Sequence, residues 1–178
     1  MSWKKFLLVG IFAMAFMAVP AHAGTVGVYG AFWDTDDADS SWGAGARVGF
    51  DFLSWLELEF HGTYFPEFGG DVLGSDIDIS VIPVDGGLKF KLFPNKPATL
   101  YVGAGATYYF LDSDDVEIDN ETGYYAEAGV EFGGEHTRLF FEVMWRAMDA
   151  TIDSGILSGD ASFDGLTGQF GVNWTWGK

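Results

Sequence analysis

The residues best suited to chemistry in this chain lie close together, where Glu57, Glu59 and His61 alternate with other residues. An imidazole beside carboxylates can transfer protons, and with a serine it could support nucleophilic catalysis. No serine lies in the same stretch, and His136 follows two glycines and a glutamate in a predicted turn. We therefore expect no catalytic residue and no enzymatic activity.

Two acidic runs suggest metal binding, because carboxylate oxygens are calcium ligands. They cover residues 34–39 and 112–121. Neither run has the pattern of a calcium-binding loop, in which a glycine and alternating acids lead to a closing glutamate. We expect solvated loops and no metal ligands, with weak divalent-cation binding there as the alternative. Gly103-Ala104-Gly105 lies within a predicted strand and is not a phosphate loop, so we expect no cofactor.

Strands must position these residues. From Trp42 to Phe52, every even residue is apolar and every odd residue is glycine, arginine or aspartate. Successive strand side chains point to opposite faces, so such alternation predicts a strand with one apolar face. The same reading predicts eight strands, at 25–33, 42–52, 55–65, 77–92, 99–110, 123–133, 137–148 and 164–176.

The alternation separates charge from aromatic residues. One face carries a predicted lumen charge network of Arg47, Asp51, Glu57, Glu59, His61, Lys89, Lys91, Glu127, Glu131, Glu142 and Arg146. The other face is apolar and gathers aromatic residues near the strand ends. This predicted interface girdle comprises Trp42, Trp55, Tyr108, Tyr124, Phe132, Trp174 and Trp176. An eight-stranded interior is too narrow for about thirty large apolar groups. We expect the apolar face to meet lipid, with a soluble carrier as the competing interpretation.

Loop lengths also alternate along the chain. Leu53-Ser54, 94–97 and 133–136 are tight connections, whereas 34–41, 66–76, 111–122 and 149–163 are longer and acidic. Short turns at one end and long loops at the other are typical of an outer-membrane barrel. The first tight turn places Arg47 opposite Glu59 or His61. A parity change near Ile82-Pro83, with Val81 and Val84 both outward, predicts a β-bulge there.

Opposite charges are interleaved inside the predicted barrel. This arrangement favours an internal plug of ion pairs, since eight strands leave little room for a channel. A selectivity filter or gate is the alternative.

The first residues indicate export. A basic start, an apolar run at 6–19 and the sequence Ala21-His22-Ala23 form a signal peptide. We expect residues 1–23 to be cleaved and residues 24–178 to form one outer-membrane β-barrel domain. Without Lys4 and Lys5, seven basic residues face 26 acidic ones and the net charge becomes −19. Nucleic acid is therefore not an expected partner, because binding its phosphates needs a basic surface. The chain has no cysteine and so no disulfide framework.

Three stretches carry a family resemblance, at 82–90, 100–110 and 126–133. With the last strand they make the chain similar to the small eight-stranded outer-membrane barrels of the OmpA, OmpX and OmpW types. The resemblance implies an all-β fold, an antiparallel transmembrane up-and-down β-barrel with short periplasmic turns and longer extracellular loops. It also implies the outer membrane of a Gram-negative bacterium. Members typically end on an aromatic residue, whereas here Gly177 and Lys178 follow Trp176.

The resemblance further implies a structural or cell-surface interaction role. The expected partners are outer-membrane lipids and lipopolysaccharide, with the outer-membrane assembly machinery and periplasmic chaperones acting during biogenesis, and we expect a monomer. Passage of small or hydrophobic solutes, as in OmpW-type proteins, is the alternative. An apolar pocket for such a solute could be lined by Tyr29, Trp33, Phe65, Tyr109 and Met148, although packing beneath the loops is favoured.

Overall fold

In the computed structural model of this chain, the described residues form nine strands. The structure describes residues 23–35, 40–72, 75–94, 96–112, 121–153, 158–162 and 164–177. The predicted signal peptide therefore lies outside the described residues, apart from Ala23. The strands are β1 Gly24–Thr35, β2 Ser41–Leu53, β3 Leu56–Val72, β4 Ser75–Lys91, β5 Ala98–Asp112, β6 Glu121–Gly133, β7 Thr137–Asp153, β8 Ser158–Ser162 and β9 Gly165–Trp176.

Eight of these strands close into an antiparallel barrel, as predicted. β1 to β7 each pair with the next strand, β7 pairs with β9, and β9 returns to β1. Closure leaves none of these eight described strands as an edge of the barrel, as a membrane-spanning sheet requires. Within the part of the chain that the structure describes, no helix is both long and apolar enough to cross a membrane.

The tight turn at Ser54-Trp55 sets the first predicted register. Arg47 pairs with His61, and Gly49 with Glu59. Gly133 begins another tight turn with φ 147°, and Gly134 N–H donates to the Thr137 carbonyl at 3.0 Å. A side chain at Gly133 would come within 2.5 Å of that carbonyl, so glycine is required there.

The predicted bulge at Ile82-Pro83 is wrong. β4 keeps one parity from Val81 to Lys91, and Val81 is buried inside the barrel instead of facing out. The β3–β4 pairing is interrupted between Gly62–Val84 and Phe65–Val81, because Pro83 has no N–H to donate. The register itself shifts one step further on, between Phe65 and Phe68 of β3.

Two predicted long loops are largely strand. The loop predicted at 66–76 is shortened because β3 runs to Val72 and β4 begins at Ser75. The loop predicted at 149–163 contains the end of β7 and all of β8, which pairs with β7 alone. With these extensions, β3, β4 and β7 have 17 residues each, more than the ~9–11 that cross a bilayer. Beyond the lipid, a strand needs no apolar face, so its composition does not distinguish it from a loop.

Burial follows the alternation around the wall. Charged and polar side chains face a buried interior, whereas large apolar side chains such as Phe141, Trp145 and Phe170 are exposed on the outside. Val48 and Phe50 share the outer face by register but are buried. With the aromatic face outside, the soluble-carrier interpretation does not hold.

Candidate functional site in the barrel lumen

Glycines make room for charge inside this narrow barrel. Gly49 faces inward beside Glu57, and Gly103 faces inward beside Glu127. A Cβ at either glycine would collide with the neighbouring carboxyl group. Eight strands enclose little more than the volume of their own side chains. Small residues on one strand therefore allow long charged residues on the next.

The lumen nearest the short turns is held by a lysine between two acids. Lys91 Nζ lies 2.6 Å from Asp51 Oδ1 and 2.5 Å from Glu57 Oε2. Lys89, which pairs with Glu57 across β3 and β4, lies 3.6 Å from its carboxylate. This register places Lys89 beside Glu57, and Lys91 lies at the next inward position of β4, nearer the turn.

Arg47 joins the two sides of the central lumen. Its Nε donates to Glu59 Oε2 at 3.1 Å, and its Nη2 donates to Glu142 Oε2 at 3.1 Å. Glu59 also forms an ion pair with Lys89, and Glu142 accepts a bond of 2.9 Å from the Tyr101 hydroxyl. These charges are almost completely buried, and such ions persist only when they are paired.

An ion pair that the sequence analysis missed lies toward the long loops. Arg146 donates two hydrogen bonds to Asp85, at 2.7 and 2.8 Å. The Thr107 hydroxyl donates to the same carboxylate at 2.6 Å. Asp85 shares the parity of Lys89 and Lys91, so the alternation could have identified it.

A second missed cation, Arg138, lies near the short turns. Its Nε is 3.3 Å from Glu131 Oε2, and Asn173 Nδ2 donates to Glu131 Oε1 at 2.9 Å. Arg138 has the inward parity of Glu142 and Arg146 on β7, which is the signal that could have revealed it.

Two residues of the predicted lumen charge network differ from those described so far, because they lack a hydrogen-bonded ion pair with Lys or Arg. Glu127 forms no ion pair with any described residue, and its Oε2 atom is buried without a hydrogen-bond partner. His61 is completely buried, and neither of its ring nitrogens makes a hydrogen bond. Its Nε2 atom nevertheless lies 2.6 Å from Glu59 Oε1.

An aromatic cluster packs in the lumen from the loop side down to Arg47, which contacts its member Phe140. Trp33 contacts Phe65 and Tyr109, with ring centroids 5.3 and 6.1 Å apart. The cluster comprises Tyr29, Ala31, Trp33, Phe65, Val81, Tyr109 and Phe140. The four aromatic residues predicted to line an apolar pocket, Tyr29, Trp33, Phe65 and Tyr109, thus pack together. The side chain of Met148, the fifth, lies outside the described part of the chain.

The residues of the predicted girdle are all exposed on the outer wall. Trp42, Tyr108 and Tyr124 lie toward the long loops. Trp55, Phe132, Trp174 and Trp176 lie toward the short turns, and Trp176 pairs with Gly24 at the start of β1. Amphipathic rings in these positions suit the two interfaces of a bilayer.

Comparison with known proteins agrees with this architecture. The profile of the outer membrane protein beta-barrel domain family matches residues 6–175. The chain belongs to this family. Membership of the outer membrane protein beta-barrel domain family confirms the predicted fold class and the outer membrane of a Gram-negative bacterium as the location.

Solved structures of the same shape include OprG from Pseudomonas aeruginosa, with a TM-score of 0.75 and 16% identity, covering 88% of this chain and 96% of that one. Neisserial surface protein A has a TM-score of 0.60 and 12% identity, with 88% and 96% covered. The barrel domain of Pseudomonas aeruginosa OprF has a TM-score of 0.57 and 12% identity, with 87% and 98% covered. At these identities the likeness shows the fold. No curated protein sequence shows a significant match.

Proposed function

We propose that this outer-membrane barrel has a structural or cell-surface interaction role, with its lumen closed by charged side chains. The observation that supports closure is a set of buried ion pairs at successive depths. Lys91 with Asp51, Arg47 with Glu59 and Glu142, and Arg146 with Asp85 occupy three levels between the turns and the loops.

The chemistry of these pairs favours a plug over a permeation path. A permeating ion needs binding that is weak enough for it to leave. Here each of the three cations is held within about 3 Å of a carboxylate and is at most 5% exposed. The aromatic cluster above Arg146 adds a layer without charge, and Arg146 lies 5.6 Å from the Trp33 ring.

Planar-bilayer recording tests this proposal. We expect the purified mature barrel to show no steady single-channel conductance. Glu59→Gln removes a charge from the central level, and Glu135→Gln removes an exposed charge at a turn as a matched control. A steady conductance that changes in Glu59→Gln but not in Glu135→Gln would contradict the plug and favour a channel.

Passage of a hydrophobic solute is the second candidate, since the aromatic cluster is apolar and lies beneath the loops. Its rings are buried against one another, which supports packing instead of a pocket. We expect the barrel to purify without a bound hydrophobic ligand, as measured by mass spectrometry of an organic extract. A ligand that co-purifies with the wild-type protein and is lost in Trp33→Ala would favour transport.

The mature protein is also proposed to begin at Gly24. β1 begins at this residue, one position after the predicted cleavage site, and Gly24 pairs with both Phe50 and Trp176. The intact mass of protein extracted from outer membranes should correspond to residues 24–178. A mass that includes residues 1–23 would contradict cleavage.

A further inference from the structure

Three buried side chains in the middle of the lumen bring metal-ligating atoms together. Glu59 and His61 lie two residues apart on the same face of β3, and Glu127 reaches them from β6. One ligand atom from each lies within 4.8 Å of the others. An imidazole nitrogen with two carboxylate oxygens is a ligand set for a divalent transition-metal ion.

Two buried atoms of these residues have no partner. Glu59 uses Oε2 to accept hydrogen bonds from Arg47 and Lys89, and its Oε1 lies 2.6 Å from His61 Nε2. Glu127 Oε2 and His61 Nδ1 are buried without a hydrogen-bond partner. Buried polar atoms are normally satisfied, so these two atoms indicate a missing partner.

Carboxyl groups outnumber cations in this part of the lumen. The side chains in the described ion pairs, together with Glu127, comprise seven carboxyl groups and five Lys or Arg cations. A bound cation would therefore meet more acidic than basic side chains.

The surroundings of His61 fit a ligand role. A histidine that binds a metal through one nitrogen usually directs the other toward a carboxylate or carbonyl. His61 Nε2 is near Glu59, and its other nitrogen, Nδ1, lies 4.0 Å from Asp85 Oδ2.

The geometry points to a divalent transition-metal site formed by Glu59, His61 and Glu127, for which Zn²⁺ is the appropriate probe. Zn²⁺ accepts three protein ligands at ~2.0–2.2 Å and leaves a fourth position open. The ion would join β3 to β6 across the lumen. This inference goes beyond the proposed role and does not depend on whether the barrel conducts.

Metal analysis of the folded protein tests the site. The mature chain is folded from urea into detergent micelles with Zn²⁺, so that entry into a closed barrel does not limit loading. Loose metal is then removed by a chelator and gel filtration. We expect one equivalent of zinc per barrel in the wild-type protein, and at least a tenfold loss in both His61→Gln and Glu127→Gln.

The chain supplies a matched control for each variant. His136→Gln removes the exposed turn histidine, and Glu131→Gln removes a buried β6 carboxylate that is paired with Arg138. Both should retain zinc. Wild-type protein without stoichiometric zinc would overturn the proposal, and so would zinc that persists in His61→Gln and Glu127→Gln, because the metal would then lie elsewhere, as on the acidic loops.

X-ray absorption of the zinc-loaded wild-type protein decides the question even if a variant fails to fold. We expect one imidazole nitrogen among oxygen ligands. A shell of oxygen ligands alone would overturn the site.

Discussion

Arg47 connects two sides of the lumen. It binds Glu59 next to it and Glu142 across the barrel, and its guanidinium lies 4.3 Å from the centre of the Phe140 ring. Removing one partner from a buried ionic network leaves a buried charge unpaired, which costs more than the pair itself contributes.

We therefore expect Arg47→Met to lower the free energy of unfolding by about 3–5 kcal/mol, as measured by urea unfolding in lipid vesicles. Combining it with Glu142→Gln should recover part of this loss, because the second change removes one of the stranded charges. Lys96→Met, at an exposed turn residue, is the control and should stay within about 0.5 kcal/mol of the wild type. A fully additive double variant would show that Arg47 and Glu142 are not coupled.

Two glycines on opposite faces of the wall test how tightly the lumen is filled. A methyl group at Gly103 would meet the Glu127 side chain, whereas one at Gly62 would have no atom within 4 Å. Gly103→Ala should destabilise the barrel by about 1–3 kcal/mol in the same unfolding assay. Gly62→Ala should be neutral or slightly stabilising. Equal effects would mean that the interior has spare room.

At the scale of the elements, the sequence predicts a strand well where the strand crosses lipid. Between Trp42 and Phe52 the outer face is apolar and the inner face faces the polar lumen. The two faces therefore carry different residue types, and the alternation can be seen in the sequence. Val81 shows the limit of this reasoning. Its apolar side chain predicts an outward position, but the inner wall toward the loops is apolar too, and Val81 packs in the aromatic cluster.

Some of the ion pairs can also be predicted from the sequence, whereas others cannot. Pairs between neighbouring strands, such as Lys89 with Glu57, follow from parity and one turn. The contact of Arg47 with Glu142 joins residues 95 positions apart on strands that are not paired with each other. It depends on the curvature of the closed wall, which alternation does not encode.

The hairpin of β7 and β8 lies outside the closed barrel. β8 pairs only with residues 149–153 of β7, beyond Arg146–Gly165, where the pairing of β7 with β9 ends. Replacing residues 150–161 with a two-residue Asn-Gly turn should preserve heat-modifiable migration on a detergent gel and leave the unfolding midpoint unchanged. Loss of the heat shift would show that this hairpin is part of the barrel's stable structure.

For the whole molecule, integrity depends on the last strand. β9 pairs with both β7 and β1, so a chain that ends at Asp164 has two open edges. We expect this truncated chain to lose the heat-modifiable shift, because open edges in lipid leave N–H and C=O groups unsatisfied. The full-length chain and the shortened-hairpin variant are the controls. A truncated chain that still shows the shift would contradict closure through β9.

The pairing of Gly24 with Trp176 has a consequence for the order of folding. β1 and β9 lie far apart in sequence, and such distant contacts form slowly, so we expect their pairing to come last. Until that seam closes, water still reaches Arg47, Glu59 and Glu142 from the open side. The free-energy cost of removing water from these charges therefore falls on the final step. We expect the buried ion pairs to form together, when the barrel closes.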